Sequence, residues 1–484
     1  MSSRQPNPEL VTRAERAQRA AAWTAGARNE LSVYAKGVWR PFKLAPHHRL
    51  LVEELERVER GEIDRLMVFM PARHGKSLIT STIFPSWYLG RHPDRSVIAT
   101  SYGAELALDF GRRVRGFVTD PLHTAIFPNC EVRFDANAAH RFSLAPGGNY
   151  YAVGAGGTLT GRGADLLIID DPLKGFEDAN SENARASLRA WYENVAYTRL
   201  AAGGAIVIIQ TRWHAADLSG WLLAEHARDG WRTVSLAAIA EENDPLGRRE
   251  GEALWPSEFP LKDLERIKEA IGSRAWVSLY QQRPRAAEGG IFKRQWWAYY
   301  DSPPENPRRI ILSLDTAFKT GETSDYSVIE VWAETTTGYY LLHVWRQRAD
   351  FPTLCRATQE LASQWRANAV LIEDAASGQS LVQALTATSA LPVIPVRPYG
   401  NKEARASAIS PYVESGKVFL PRWAGWLGNF LDEVSSFPSA PHDDLVDSLS
   451  QFLGWVRISP ARDPEHDRRQ AEMLRHVSAT WFQR

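Results

Sequence analysis

"MVFMPARHGKSLIT", residues 67 to 80, decides how the first half of the chain is read. An apolar run enters a short loop ending in Gly75, Lys76 and Ser77, and a helical pattern follows. Strand, loop and helix in that order suit a phosphate-binding loop, because backbone N–H groups and the helix N-terminus receive phosphate oxygens. There Lys76 reaches the β- and γ-phosphates and the Ser77 hydroxyl ligates Mg²⁺. The stretch departs from G-x-x-x-x-G-K-[ST]: Met70 stands where the first glycine would fall, and Arg73 and His74 fill a loop usually built from smaller residues. An ordinary loop with a surface lysine spells the same three letters, so the reading depends on partners elsewhere.

Partners follow. "ADLLIIDDP" (164 to 172) is an apolar strand ending in Asp170 and Asp171. In a Walker B segment Asp170 holds Mg²⁺ through water and the next carboxylate polarises the attacking water, a place usually taken by Glu and here by Asp171. Arg162, in the Gly-flanked "TGRGAD", either reaches a neighbouring subunit's γ-phosphate as an arginine finger or caps a helix. "AIVIIQTRWHAADL" ends its strand in Gln210, Thr211 and Arg212, placed either to sense the γ-phosphate or simply to form a polar turn.

Composition sets the bounds. The 484 residues suffice for two or three domains, and 57 Lys plus Arg balance 57 Asp plus Glu, so any DNA contact must come from local patches. Cys130 and Cys355 are the two cysteines and lack metal-ligand spacing, which argues against a disulfide framework or a zinc site. With no long apolar run and no signal-peptide pattern, a soluble cytoplasmic protein is expected.

The chain reads as α/β in two halves. "RLMVFM", "SVIAT", "DLLIID" and "AIVIIQ" are expected as buried parallel strands, and residues 216 to 275 as mostly helical. "QQRPRAAEGGIFKRQWW" (281 to 297) has the composition of a connector. A second strand series runs through "RRIILSLD", "YSVIEVWAE", "YYLLHVW" and "AVLIED". The expected division is a helical extension (1 to 44), a P-loop ATPase core (45 to 215), a polar, mostly helical linker (216 to 280), a connector (281 to 305), a second α/β domain (306 to 457) and a charged tail (458 to 484).

In the second half one strand ends at Asp315 and another at Glu373 and Asp374, and "HDDLVD" (442 to 447) opens a helical run. Asp444 and Asp447 are three apart and share a helix face; Asp443 is placed as an N-cap, or on that same face. Strand acid, second strand acid and helix acid make an RNase H-like cage for two Mg²⁺ or Mn²⁺ ions about 4 Å apart, one activating water and one stabilising the leaving 3′-oxygen of a phosphodiester.

Together "PARHGKS", "LLIIDDP", "QTRWH", "YQQRPRAAEGGIF", "LDTAF", "IEDAASGQSL" and "HDDLVDSL" resemble the large subunit of a tailed-bacteriophage terminase, over roughly residues 45 to 456. The resemblance implies a P-loop NTPase domain with a small helical lid, followed by an RNase H-like nuclease domain. It implies that Arg73, His74, Gly75, Lys76, Ser77, Asp170 and Asp171 serve ATP and its Mg²⁺, with Arg162 at the finger position and Gln210-Thr211-Arg212 as the coupling segment. In the nuclease it implies Asp315 as first acid and Glu373 as second, five before Gly378, with Asp374 a near alternative and Asp444 and Asp447 both carried. It also implies double-stranded DNA, a portal protein and a small terminase subunit as partners, a homo-oligomeric ring (a pentamer) on the prohead, the host cytoplasm as location, and no membrane. The rival readings are a repair helicase-nuclease, for which residues 216 to 300 offer no second strand series, and a nucleotide-gated DNA-binding protein without an acid cage.

Overall fold

The computed structural model describes residues 13–39, 43–159, 161–284, 290–316 and 326–459. Residues 285–289 of the expected connector, Ala317 and Phe318 of "LDTAF", and the tail from residue 460 lie outside the described residues. The chain forms two compact units, Met1–Ala286 and Ala287–Arg484, each with its own sheet.

Eight strands make the first sheet: β1 (Arg65–Phe69), β2 (Ser96–Ser101), β3 (Val132–Ala138), β4 (Arg141–Leu144), β5 (Asn149–Gly154), β6 (Ala164–Asp170), β7 (Leu200–Gln210) and β8 (Arg232–Ser235). Their order is β3-β4-β5-β2-β6-β7-β1-β8. From β5 to β8 every pairing is parallel, whereas β3, β4 and β5 pair antiparallel. The apolar runs are continuous because both faces are covered. Leu66, Val68, Leu166, Ile168, Val207 and Ile209 fill one core, and Met67, Phe69, Leu167, Ile169, Ile206 and Ile208 fill the other. Each such side chain contributes about 1.5–3 kcal/mol on leaving water. The register pairs Phe69 with Gln210 and Asp170 with Ile209, so β1, β6 and β7 end together. Ligands of open parallel sheets sit at that edge.

The segment expected to be mostly helical is mixed. Helices Leu218–Glu225 and Leu261–Leu279 are there, the second broken at Gly272 (φ 78), but β8 joins the sheet beside β1. "RTVS" buries one apolar residue, Val234, so its strand character comes from its neighbour and not from its own pattern.

Seven strands make the second sheet: β9 (Ala298–Tyr300), β10 (Arg309–Asp315), β11 (Ser327–Glu334), β12 (Tyr339–Gln347), β13 (Ala369–Glu373), β14 (Val393–Val396) and β15 (Val418–Pro421). The order is β14-β13-β10-β11-β12-β15-β9, with β10-β11-β12 antiparallel and the other pairings parallel. Helix Asp444–Ile458 packs on this sheet through Phe452, stacked on Trp332 at 4.6 Å, and through Ser448 and Ser313, each of whose hydroxyls donates to the other's carbonyl at 3.0 and 2.8 Å. That docking carries its first turn to the end of β10. Among the described residues no helix is long and apolar enough to cross a membrane.

Candidate active sites

The loop after β1 turns through left-handed backbone at Arg73 (φ 63) and Gly75 (φ 85). Gly75 is required twice: for its φ, and because a Cβ there would lie 2.6 Å from His48 Nε2. His48 Nδ1 accepts from the Ala45 N–H at 3.1 Å, so Nε2 carries the proton and donates to the His74 carbonyl at 2.9 Å. His47, His48 and His74 are buried with Trp255, His74 stacking on Phe259 at 4.5 Å. Burial lowers the pKa of His47 to about 2 and of His48 and His74 to about 4, so all three are neutral. The sequence reading missed this support, because "PHH" stands 26 residues before the carbonyl it holds.

Beyond the loop the chain opens with a π-helical turn, Leu78–Ile83, and continues as helix Phe84–Arg91. Lys76 Nζ lies 2.6 Å from Asp171 Oδ2 and donates to Thr211 Oγ1 at 3.0 Å. Ser77 Oγ donates to Asp170 Oδ1 at 3.1 Å and Ser81 Oγ to Oδ2 at 2.5 Å. Asp170 is buried; burial first, and Asp171 next to it, push its pKa up to about 7. Asp171 takes φ 41, which turns its Oδ1 to accept the Thr211 N–H at 2.6 Å. Lys76, Ser77, Asp170, Asp171 and Thr211 therefore form one connected group. A hydroxyl sharing a proton with a carboxylate is a donor set for Mg²⁺, and a buried ammonium beside it is a seat for phosphate.

The remaining expected residues stand further out. Gln210 is buried, and its Nε2 has no partner among the described residues. Arg212 turns from the loop: Nε meets Asp217 Oδ2 at 2.8 Å, its N–H donates to Gln282 Oε1 at 3.1 Å, and its guanidinium covers the Phe69 ring. Arg162 lies over the Tyr151 ring at 4.7 Å, and Arg73 is exposed.

In the second unit, parallel pairing of β10 and β13 aligns Leu314 with Ile372, so Asp315 and Glu373 leave adjacent strand ends. Helix Asp444–Ile458 brings Asp444 and Asp447 to the same edge. Burial raises the pKa of Asp315 well above the usual carboxylate range, and Asp447, Asp444 and Glu373 raise it further against the opposing charge of Lys402. Gly378 is needed here, since a Cβ would collide with the Glu373 carbonyl. Asp374 faces aside, toward Arg397 Nε at 3.4 Å and Gln379 Nε2 at 3.2 Å.

One expectation is corrected. Asp443 makes no side-chain cap bond. It sits at φ −137, ψ 9, outside the extended backbone of a capping residue, and accepts from Lys402 Nζ at 2.6 Å. The helix N-terminus is instead served by Glu433 Oε1, which accepts the Leu445 N–H at 2.7 Å. The acids at this edge are held by side-chain cations. Among the described residues no three metal-ligating side chains already share a coordinating geometry. Lys402 Nζ lies 2.8 Å from Asp447, Arg405 Nη2 lies 2.8 Å from Asp447 and 3.9 Å from Glu373, and Arg346 Nη2 lies 2.7 Å from Glu433 and 3.3 Å from Asp444. Like charges have gathered around side-chain cations that no motif announced. Glu330, buried on β11 and held by Trp332 Nε1 at 3.0 Å, was also missed; burial raises its pKa well above the ordinary carboxylate value. The oxygen-only donor set at this edge fits a hard divalent cation.

A phosphate-loop sheet and a carboxylate-edged sheet on one chain define a nucleotide-hydrolysing enzyme joined to an RNase H-like nuclease. Residues 67–298 match the family "Terminase large subunit, T4likevirus-type, N-terminal", and residues 312–454 match "Terminase RNaseH-like domain". The chain belongs to the terminase large-subunit family, and is an ATPase and nuclease of viral DNA packaging. No curated protein sequence matches it. Among solved structures, a large terminase from a thermophilic bacteriophage is 11% identical with a TM-score of 0.48, over 84% of this chain and 98% of that one. The HK97 bacteriophage large terminase is 12% identical with a TM-score of 0.36, over 85% and 95%. The magnesium-bound nuclease of the large terminase from thermophilic phage G20c is 18% identical with a TM-score of 0.28, over 35% and 98%.

Proposed function

We propose that the chain drives double-stranded DNA into a prohead through a portal, cutting concatemeric DNA to start and end each round. Lys76 neutralises the β- and γ-phosphates of ATP, and backbone N–H groups from Arg73, His74 and Gly75 receive their oxygens. Ser77 and Asp170 hold Mg²⁺, which spreads the charge developing on the transferred phosphoryl group. Asp171 gives up Lys76 to the incoming phosphates and orients the attacking water. Gln210, Thr211 and Arg212 sense the γ-phosphate, and Arg162 completes a neighbour's site in a ring, for which the family implies a pentamer.

In the nuclease, Asp315, Glu373, Asp444 and Asp447 hold two Mg²⁺ or Mn²⁺ ions, with Asp374 the alternative to Glu373. When bound there, such ions would supply a nucleophile from water and charge for the leaving 3′-oxygen. The reading further places a small terminase subunit as the partner that delivers DNA, and the host cytoplasm as the site of action.

The observation that carries this reading is the shared edge: Asp315 and Glu373 at adjacent strand ends with the first turn of helix Asp444–Ile458 beside them. Plasmid cleavage with Mn²⁺ by the Asp315→Asn protein tests it. Loss of nicking with ATP turnover intact is expected; parental nicking refutes the nuclease assignment.

A further inference from the structure

The loop between β14 and helix Lys402–Glu414, "RPYGN" (397 to 401), has no role in the reading so far. Its position follows from pairing. β14 runs parallel to β13 with Val396 opposite Glu373, and the Asp374 N–H donates to the Val396 carbonyl at 2.7 Å, so the loop emerges level with the second acid. Arg397 reaches Asp374 yet keeps 90% of its side chain exposed. Tyr399 is 81% exposed. Gly400 turns at φ 75, and Asn401 caps the following helix by accepting the Ala404 N–H at 2.8 Å. That cap fixes the first helical turn, whose Lys402 and Arg405 are seated among the acids.

A phosphodiester at the acid edge would therefore meet a cation and an aromatic ring already in the open, beside a carboxylate cluster that by itself repels a polyanion. We propose that Arg397 and Tyr399 form the DNA-backbone clamp of the nuclease. Arg397 leaves Asp374, a weak exposed pair, for a phosphate next to the scissile one, and Tyr399 packs its face on the adjoining deoxyribose. The ligand is the backbone of duplex DNA and not a base sequence, since an arginine on a mobile stem beside a ring offers no fixed donor pattern for base edges.

This proposal rests on the nuclease reading, and the two fail separately. The full chain carrying Arg397→Ala and Tyr399→Ala is compared with the parent by fluorescence anisotropy on a labelled duplex of about 30 base pairs at several NaCl concentrations with Ca²⁺, and by Mn²⁺-dependent plasmid nicking. The expected result is a salt slope of log affinity lowered by about 1, the loss of one phosphate contact. KM for DNA rises at least several-fold at little-changed kcat, while ATP turnover without DNA and melting temperature stay parental. Arg397→Lys with Tyr399 intact restores the slope. Parental slope and KM in the double variant, with Asp315→Asn inactive, overturn the clamp alone. Nicking by Asp315→Asn overturns the nuclease reading beneath it.

Discussion

Glu433 accepts the Leu445 N–H at 2.7 Å, so the helix that carries Asp444 and Asp447 is capped from helix Leu427–Ser436 and not by the aspartate that precedes it. The same carboxylate pairs with Arg346, which also holds Asp444. Glu433→Ala removes the cap and leaves Arg346 paired with Asp444 alone, and is expected to cost at least about 1–2 kcal/mol, read as a lower melting temperature. Asp443→Asn gives up an ion pair with the half-exposed Lys402, worth about 0–1 kcal/mol, and is expected to keep cleavage. If Asp443→Asn proved the more damaging of the two, the cap would be misassigned.

Burial first, and the acids around it next, disfavour the charged form of Asp315. A folded pKa above the unfolded one means that the folded state binds the proton more tightly, so stability falls as pH rises from the ordinary carboxylate range toward the raised value. Asp315→Asn removes the repelled charge and is expected to melt no lower than the parent at about pH 7 without metal, while losing Mn²⁺-dependent cleavage. Asp444→Asn is expected to lose cleavage as well. A large fall in melting temperature of the metal-free Asp315→Asn protein would contradict the repulsion.

Lys76 is the counter-ion of Asp171 and the donor to Thr211. Lys76→Ala is expected to lower ATP turnover by orders of magnitude, measured as phosphate release, with Mn²⁺-dependent nicking unchanged because that unit keeps its acids. Parental turnover in this variant would remove the phosphate-loop assignment.

Arg162 is held over Tyr151, and among the described residues it makes no hydrogen bond or ion pair with the Lys76 and Asp170 group. Neither Arg162→Ala nor Lys76→Ala subunits alone should turn over ATP in an assembly. Their mixture is expected to regain part of it, where an intact loop faces an intact arginine. A co-assembled mixture without any recovery would make the arginine structural.

The buried histidines set an acid limit on the first unit. His47, His48, His74 and His123 have folded pKa values lowered by burial to about 2, 4, 4 and 4, against 6.5 for the free side chain. Below 6.5 the unfolded chain takes up protons that the folded one refuses, so stability is lost as pH falls through the window from 6.5 to about 4, at roughly 1.4 kcal/mol per histidine and pH unit. Both His47 nitrogens are buried without a partner among the described residues, so His47→Phe should flatten this acid limb without lowering the melting temperature at about pH 7.5. A limb as steep as the parent's would assign the lost stability to other groups.

What the sequence disclosed was the strand ends. The apolar runs before Lys76, Asp170, Gln210, Asp315 and Glu373 are continuous because both faces are covered, and such runs are visible without knowing their neighbours. β8 and β14 stayed hidden: each is four residues long, and its strand character is set by the strand beside it. Side chains that answer a distant partner stayed hidden for a related reason. Lys402 lies 41 residues from Asp443, and His48 lies 26 from the carbonyl it holds. Motifs report what is adjacent along the chain, whereas counter-charge and backbone support are chosen across the fold.

The order β6-β7-β1 puts a third strand between the one that ends in Asp170 and the one that leads to Lys76. Thr211, at the tip of β7, touches Lys76 through its hydroxyl and Asp171 through its N–H, bridging two groups that also pair directly. The sheet, close-packed on both faces, has little slack to absorb a displacement there. The next residue, Arg212, is tied to Asp217 at the cap of helix Leu218–Glu225 and to Gln282 beyond helix Leu261–Leu279, so under the proposed coupling role a displacement of Thr211 would pass to two helices at once.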